Sequence, residues 1–414
     1  MPGPGYYWIG KEEEQEIVDL IHSKYLFRYG KENDPTFKHK VKTLEEEIAR
    51  NFKVKYSLAV TSGTSALITA LSAAGIGPGD EVIVPGYTFI ASITSVIICG
   101  GVPVLAEVDN SLTLDPQDVE KKITPYTKAI MAVHMLGNPC NLGKLSDIAK
   151  KHKLILIEDS AQAFGGSYKG NRLGSIGTIG IYSFNFFKTI NAGDGGMVVT
   201  NDKLLYEKAF AYHDQGHFPL RMGVEIGKRS IIGQNFRMNE LTAAVLIAQF
   251  KKLDKLIEQL HYLKDRFKGQ IKDIEGISFR KINDEKGECS TILTVFFPNK
   301  KIADKVSKKL NTTTVSHSGW HVYNNMEQVL GMKVINSRLN PVTNSYYKGK
   351  VKYEKGMLPQ TDDLLDRAIN ISIGVVDAGL GAGFGINVNS TAEEIDIKVK
   401  EFKDAVKTVM LTKE

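Results

Sequence analysis

IYSFNFFKTINAGDGGMV, running from Ile181 to Val198, reads as a short apolar strand, one lysine flanked by aromatics, and a Gly-rich turn into a second strand. Lys188 has Phe186, Phe187 and Ile190 as neighbours, unusual company for an ammonium group. Two readings compete. One is a strand-edge lysine whose head snorkels to water. The other is a desolvated amine whose lowered pKa makes it a nucleophile towards carbonyls, a Schiff-base lysine. The rest of the chain decides between them.

At 414 residues the chain exceeds the roughly 250–300 residues over which one core grows. Two domains are expected, at residues 1–250 and 251–414. A hydrophobic content of 42% and a charged content of 24% suit a globular protein and exclude a disordered or fibrous one. The net charge of +6 is mild. The densest basic run, Lys38-His39-Lys40-Val41-Lys42, leads straight into Glu45, Glu46 and Glu47, a solvated helix start rather than a nucleic-acid surface. Cys99, Cys140 and Cys289 are too widely spaced for a disulfide framework or a zinc pattern, which points to a reducing cytoplasm. The pairs His213/His217 and His317/His321 have the spacing of helical metal ligands, but no carboxylate motif accompanies them and no metal is expected. MPGPGYYWIGKEEEQ lacks a basic-then-apolar leader, and no window approaches the ~20 apolar residues of a membrane span.

Along the chain, residues 11–23 predict an amphipathic helix with Ile17, Val18, Leu20 and Ile21 inward. An irregular arm follows over 26–37, then a helix from Thr43 started by a Thr43-x-x-Glu46 capping box. Near-continuous apolar runs at 55–62, 80–86, 102–108, 127–134, 154–160, 179–185 and 195–200 alternate with helical patterns. That is the pattern of strands covered on both faces, and it predicts an α/β domain with a mostly parallel sheet of about seven strands. The 179–200 pair, joined by a short Gly-rich link, is the place for an antiparallel member. One long helix is predicted over 239–268, bridging to a second domain. There 290–298 reads as a strand and 301–310 as a helix. Ser390-x-x-Glu393 caps a final helix with Ile395, Val399, Phe402, Val406 and Val409 inward.

In open α/β sheets ligands lie beyond the carboxyl ends of the strands. After the first strand come Ser62-Gly63-Thr64-Ser65, hydroxyls and free amides at a helix start that suit a phosphate. After the second comes Tyr87-Thr88-Phe89, aromatics able to stack on a flat ring. The fifth runs into Glu158-Asp159-Ser160-Ala161-Gln162, a carboxylate that a protonated pyridine nitrogen would satisfy. After the sixth come Ser183 and Lys188. Each has an ordinary alternative as cap or core. Their convergence on one rim points to pyridoxal phosphate.

Taken together, TSGTSAL, DEVIVPGYTFIAS, IEDSAQAFG, SFNFFKTINAGDGG, GQNFRMNE and LPQTDDLLDRAINISIG resemble the DegT/StrS-like sugar aminotransferases over nearly the whole chain, in order. The resemblance implies the fold-type-I pyridoxal-phosphate architecture, with a smaller C-terminal α+β domain, and a homodimer sharing its active sites. It implies Lys188 as the Schiff-base lysine and the acid/base of a 1,3-proton shift. Asp159 would pair with the ring nitrogen and Gln162 with the ring hydroxyl, while Phe89 stacks on the ring. Gly63, Thr64 and Ser183 would hold the phosphate, with Asn235 reaching in from the other subunit. Asp194 stands where many members carry Glu, a mild departure. The implied reaction is ping-pong, from L-glutamate, or L-glutamine, to a keto- or aldehydo-sugar.

Within the family, LFRYG, AGIGPGDEVIVP, VHMLG, GGSYKG and HDQGH resemble the subgroup that converts 8-oxo-Kdo to 8-amino-3,8-dideoxy-manno-octulosonate, a lipopolysaccharide sugar. Its acceptor carries a carboxylate, for which Arg28, His217, Arg221, Lys228, Arg229, His317 and His321 are the candidates. Nucleotide-sugar and cyclitol acceptors stay open. A sugar dehydratase of this family would carry His in place of Lys188. A cysteine desulfurase would need a mobile-loop cysteine, and a regulatory homologue a further partner-binding segment.

Overall fold

The computed structural model describes residues 2–219 and 229–411. Helices α1 (Lys11–Ser23) and α2 (Lys40–Phe52) precede the first strand. Strands β1 (Tyr56–Val60), β2 (Glu81–Pro85), β3 (Val102–Ala106), β4 (Thr127–Val133) and β5 (Ile155–Asp159) are followed in turn by β6 (Ser167–Tyr168) and β7 (Asn171–Arg172), a small hairpin. Then come β8 (Ile179–Ser183) and β9 (Gly196–Thr200). The hairpin apart, these build one seven-stranded sheet in the order β1-β9-β8-β5-β4-β2-β3. Every residue of β2, β3, β8 and β9 is buried, as their unbroken apolar runs require of strands covered on both faces. Helices α3 (Gly63–Ala73), α4 (Ile90–Ile98), α5 (Pro116–Lys122), α6 (Leu142–His152) and α7 (Lys203–His213) fill the intervals.

β9 is antiparallel to both β8 and β1, and the remaining pairs are parallel. The connection between β8 and β9, residues 184–195, holds no helix that could cross back over the sheet, and the chain returns antiparallel. The carboxyl ends of β1, β2, β5 and β8 consequently share one rim. At the outer edge β3 does not lie bare: the Tyr353 hydroxyl donates to Pro103 O at 2.6 Å, and that of Tyr347 to Glu81 on neighbouring β2.

The predicted 239–268 helix is two helices, α8 (Glu240–Phe250) and α9 (Leu253–Ile271). Their apolar faces serve different cores. Ala243, Leu246 and Phe250 pack with α2 and β9, whereas Leu256, Leu260, Leu263 and Phe267 pack with the C-terminal elements. Those are a four-stranded sheet, in the order β10-β11-β12-β13, of β10 (Ser278–Phe279), β11 (Ile292–Phe296), β12 (Ala368–Ser372) and β13 (Phe384–Gly385). Around it lie α10 (Lys300–Lys309), α12 (Pro359–Asp366) and α13 (Ala392–Leu411), whereas α11 (Glu327–Leu330) packs through Val329 against the core of the large sheet. Ile395, Val399, Phe402, Val406 and Val409 of α13 are all buried. The capping box sits one residue later than predicted, between Thr391 and Glu394.

Two other expectations are corrected by long-range contacts. α1 spans the predicted residues, but Val18 and Ile21 are exposed. The helix docks through Leu20 and a buried Glu13 whose carboxylate receives Gln249 and Lys252. α2 begins before Thr43 because the Glu240 carboxylate accepts the Lys40 and Val41 amides at 2.6 and 2.9 Å, capping it from another helix. The chain's first turn, Pro4–Trp8, lies across the lysine loop: Gly3 N donates to Phe186 O at 3.0 Å, and Trp8 Nε1 to Asn389 Oδ1 at 3.0 Å.

Glu240→Ala removes that cap and is expected to lower unfolding free energy by about 1–2 kcal/mol, while Thr43→Ala changes it by less than about 0.5 kcal/mol. Urea denaturation of the two variants measures the difference.

Candidate active site

The rim holds a cavity of about 670 Å³. At its β1 side, Ser62 caps α3. Its Oγ accepts the Ser65 amide at 3.0 Å, and Ser65 Oγ accepts the Ser62 amide at 2.8 Å. The first-turn amides and the Thr64 hydroxyl face the same cavity as Ser183 at the end of β8. Helix and strand can approach this closely because residue 63 is glycine. A Cβ there would lie 2.6 Å from Ser183 Cβ and 2.9 Å from Ser183 Oγ. The result is a cradle for an anionic oxygen group.

At the end of β5, Asp159 is 4% exposed. Its Oδ2 accepts from Ser92 Oγ at 2.7 Å and its Oδ1 from the Ala161 amide at 3.1 Å. Ser92 in turn shares a 2.8 Å hydrogen bond with Thr88. Glu158, one residue earlier, points to the other face of the strand, where the Gly174 and Ile176 amides and the His134 Nε2 surround it. Two adjacent carboxylates thus have separate duties: Glu158 is consumed by structure, and Asp159 lines the cavity. Gln162 Oε1 accepts the Leu136 amide at 3.0 Å, which leaves the Gln162 NH2 as the donor available to a ligand. Phe89 lines the wall half-exposed, its ring centroid 5.4 Å from that of His321.

The Lys188 amine enters this cavity and makes no hydrogen bond or ion pair with any described residue. Burial pushes its pKa below the ordinary lysine value, partly opposed by the charges of Asp159 and Asp377. The snorkelling alternative fails, because the head group points into the protein.

The structure thus brings Gly63, Thr64, Phe89, Asp159, Gln162, Ser183 and Lys188 to one cavity. Asn235 is exposed, bridges Asp214 through its backbone, and lies outside its own chain's cavity. The substrate candidates fare differently. His321 lines the cavity. Arg28 does not: it is buried against Glu45 at 2.8 Å and also donates to Ala59 O. His217 is turned onto Asp214 O and His317 onto Thr314, both away from the cavity, and exposed Arg229 does not line it. Arg221 and Lys228 lie outside the described residues.

Sequence reasoning missed Ser92, Trp320 and Asp377, which also line the cavity. Ser92 stands three residues after Phe89, a helical spacing that would have turned it towards the same rim. Trp320 and Asp377 come from irregular C-terminal segments that carry no periodic signal.

The sequence profile of the DegT/DnrJ/EryC1/StrS aminotransferase family matches residues 9–376. The GDP-perosamine synthase of Escherichia coli O157:H7 is 40% identical over 266 residues, covering 64% of this chain and 70% of that protein. The L-glutamine:2-deoxy-scyllo-inosose aminotransferase of Streptomyces kanamyceticus is 38% identical over 231 residues, 52% of this chain and 53% of that one. Among solved structures, 3-amino-5-hydroxybenzoic acid synthase superposes with a TM-score of 0.78 at 26% identity, covering 97% of each chain.

Gly63→Ala forces Ser183 and the α3 start apart. The expected outcome is a rise of about tenfold or more in the pyridoxal phosphate dissociation constant, the scale of one lost charge-assisted hydrogen bond. Titration of the cofactor-stripped protein reads it.

Proposed function

The chain belongs to the DegT/DnrJ/EryC1/StrS aminotransferase family, and from that premise we propose that it moves the amino group of L-glutamate to the carbonyl of a keto- or aldehydo-sugar by a ping-pong sequence. It is an aminotransferase whose cofactor is pyridoxal phosphate. The observation that carries the proposal is the buried, unpartnered Lys188 amine in one cavity with a carboxylate anchored by Ser92 and the Ala161 amide.

The residues fit the cofactor's parts one by one. The α3 start with Gly63, Thr64 and Ser183 suits the phosphate, Asp159 suits a ring N–H, the Gln162 NH2 suits the ring oxygen, and the Phe89 face suits the ring. The chemistry supplied by the bound cofactor is an electron sink that makes a substrate C–H acidic. Lys188 does the proton work. With its pKa lowered by burial, a larger fraction of its amine is neutral near pH 7, so Nζ can accept a proton from one carbon and return it at the next. Asp159 stays fixed through this, because both its oxygens are already held.

On the acceptor side, burial and the nearby Lys188 charge push His321 down to about 3, so it acts as a neutral hydrogen-bonding group. Lys188 is the one cationic side chain in the described lining. The 8-oxo-Kdo reading rests on the subgroup segments and needs a counter-charge from beyond that lining. A nucleotide-sugar acceptor is favoured by the perosamine relative, and a cyclitol acceptor with L-glutamine as donor by the Streptomyces one.

A homodimer is supported by an exposed aromatic cluster in which Tyr6 packs on Phe186, and Phe186 on Phe187, at the loop that carries Lys188. In such a dimer Asn235, exposed and outside its own chain's cavity, would serve the partner's. No described helix is long and apolar enough to cross a membrane. The free thiols Cys99, Cys140 and Cys289 support a reducing, cytoplasmic setting.

With pyridoxal phosphate bound, L-glutamate alone is expected to abolish the visible absorbance band and raise one in the near ultraviolet. Lys188→Ala is expected to abolish amino transfer. Retention of the visible band after glutamate would refute the donor assignment. Mass spectrometry after adding 8-oxo-Kdo or a GDP-linked keto-sugar then decides the acceptor.

A further inference from the structure

The turn after β4 contains a backbone conformation that its sequence does not favour. Leu136 has φ 55° and ψ 34°, the left-handed region that a non-glycine residue seldom enters. In that conformation the Leu136 amide points at Gln162 Oε1, 3.0 Å away. A side-chain amide is chemically reversible end for end, so this one hydrogen bond determines whether Gln162 offers the cavity a donor or an acceptor.

Three successive carbonyls of the turn are held from the small domain. Arg280, directly after β10 and 4% exposed, donates Nη1 to Met135 O at 3.2 Å and Nη2 to Leu136 O at 2.9 Å. The Cys289 amide donates to Gly137 O at 2.9 Å. A Cβ on Gly137, itself at φ 76°, would lie 2.9 Å from Cys289 Cβ, so the contact is tight. The docking continues with Asn138 Nδ2 on Lys281 O and Asn283 Nδ2 on Pro139 O, each at 2.9 Å. The planar guanidinium fork presents two N–H donors side by side to consecutive carbonyls, a geometry that a single ammonium centre does not fix.

We propose that Arg280 is a positioning residue of the active site: by holding Met135 and Leu136 in the left-handed turn, it fixes the Gln162 amide with its NH2 towards the ligand. The proposal rests on the cavity being the pyridoxal phosphate site. Its charge surroundings make it testable. Glu288, 3.9 Å from Arg280, is already paired with Lys264 at 2.6 Å, so removing Arg280 leaves no isolated buried carboxylate.

The test is a double-mutant cycle read by pyridoxal phosphate dissociation constants of the otherwise intact protein, with no turnover involved. Arg280→Met is expected to weaken binding about tenfold when Gln162 is present, and less than about twofold in the Gln162→Ala background. Equal losses in both backgrounds would mean that Arg280 is only domain cement, and no loss in either would mean that the turn holds itself; each overturns the proposal. If Arg280→Met does not fold, Arg280→Lys is run through the same cycle, and the same outcomes support or overturn it. Failure of the wild-type protein to bind pyridoxal phosphate would overturn the cavity reading first and this inference with it, and is recognised in the wild type alone.

Discussion

A primary amine held inside protein without an ion pair is a costly arrangement, and the architecture around Lys188 answers to it. The amine lies within electrostatic reach of Asp159 and Asp377, yet is bonded to neither. Asp159 does not reach over to it, because Ser92 and the Ala161 amide hold the carboxylate in place while leaving it lone pairs for a ligand. The N-terminal turn meets the same loop through its backbone, with Gly3 N donating to Phe186 O. What results is a nucleophile whose reactivity is stored in its surroundings rather than in its own structure.

Those surroundings come from two halves of the chain. The large sheet supplies the phosphate cradle, the carboxylate and the lysine from the ends of successive strands. The small domain supplies Trp320, His321 and Asp377 as the opposite wall, and grips the β4 turn through Arg280. A cavity made in this way has its cofactor side set by regular structure and its substrate side by irregular segments. Chemistry and specificity are therefore free to vary separately.

That division also explains what can be read from the sequence. Strands buried on both faces announce themselves as apolar runs, and ligand-binding residues follow strand ends, so Gly63, Asp159, Gln162, Ser183 and Lys188 are legible one after another. The failures are long-range. Arg28 reads as a free cation because its partner Glu45 lies 17 residues on, with nothing local to join them. The α2 start is hidden because its cap, Glu240, is 200 residues from Lys40. The 239–268 pattern stays helical throughout, yet its two apolar faces belong to different cores, and periodicity does not report which core a face meets. Trp320 and Asp377 sit in coil, where residue type alone gives no direction.

The N-terminal turn has a consequence for the order of assembly. The Trp8–Asn389 hydrogen bond joins residues 381 apart, while Gly3 reaches Phe186. During synthesis every strand of the large sheet leaves the ribosome long before Asn389 exists. The segment that lies across the lysine loop is thus made well before the residue that secures it, a contact of high sequence separation that favours slow final closure over early commitment.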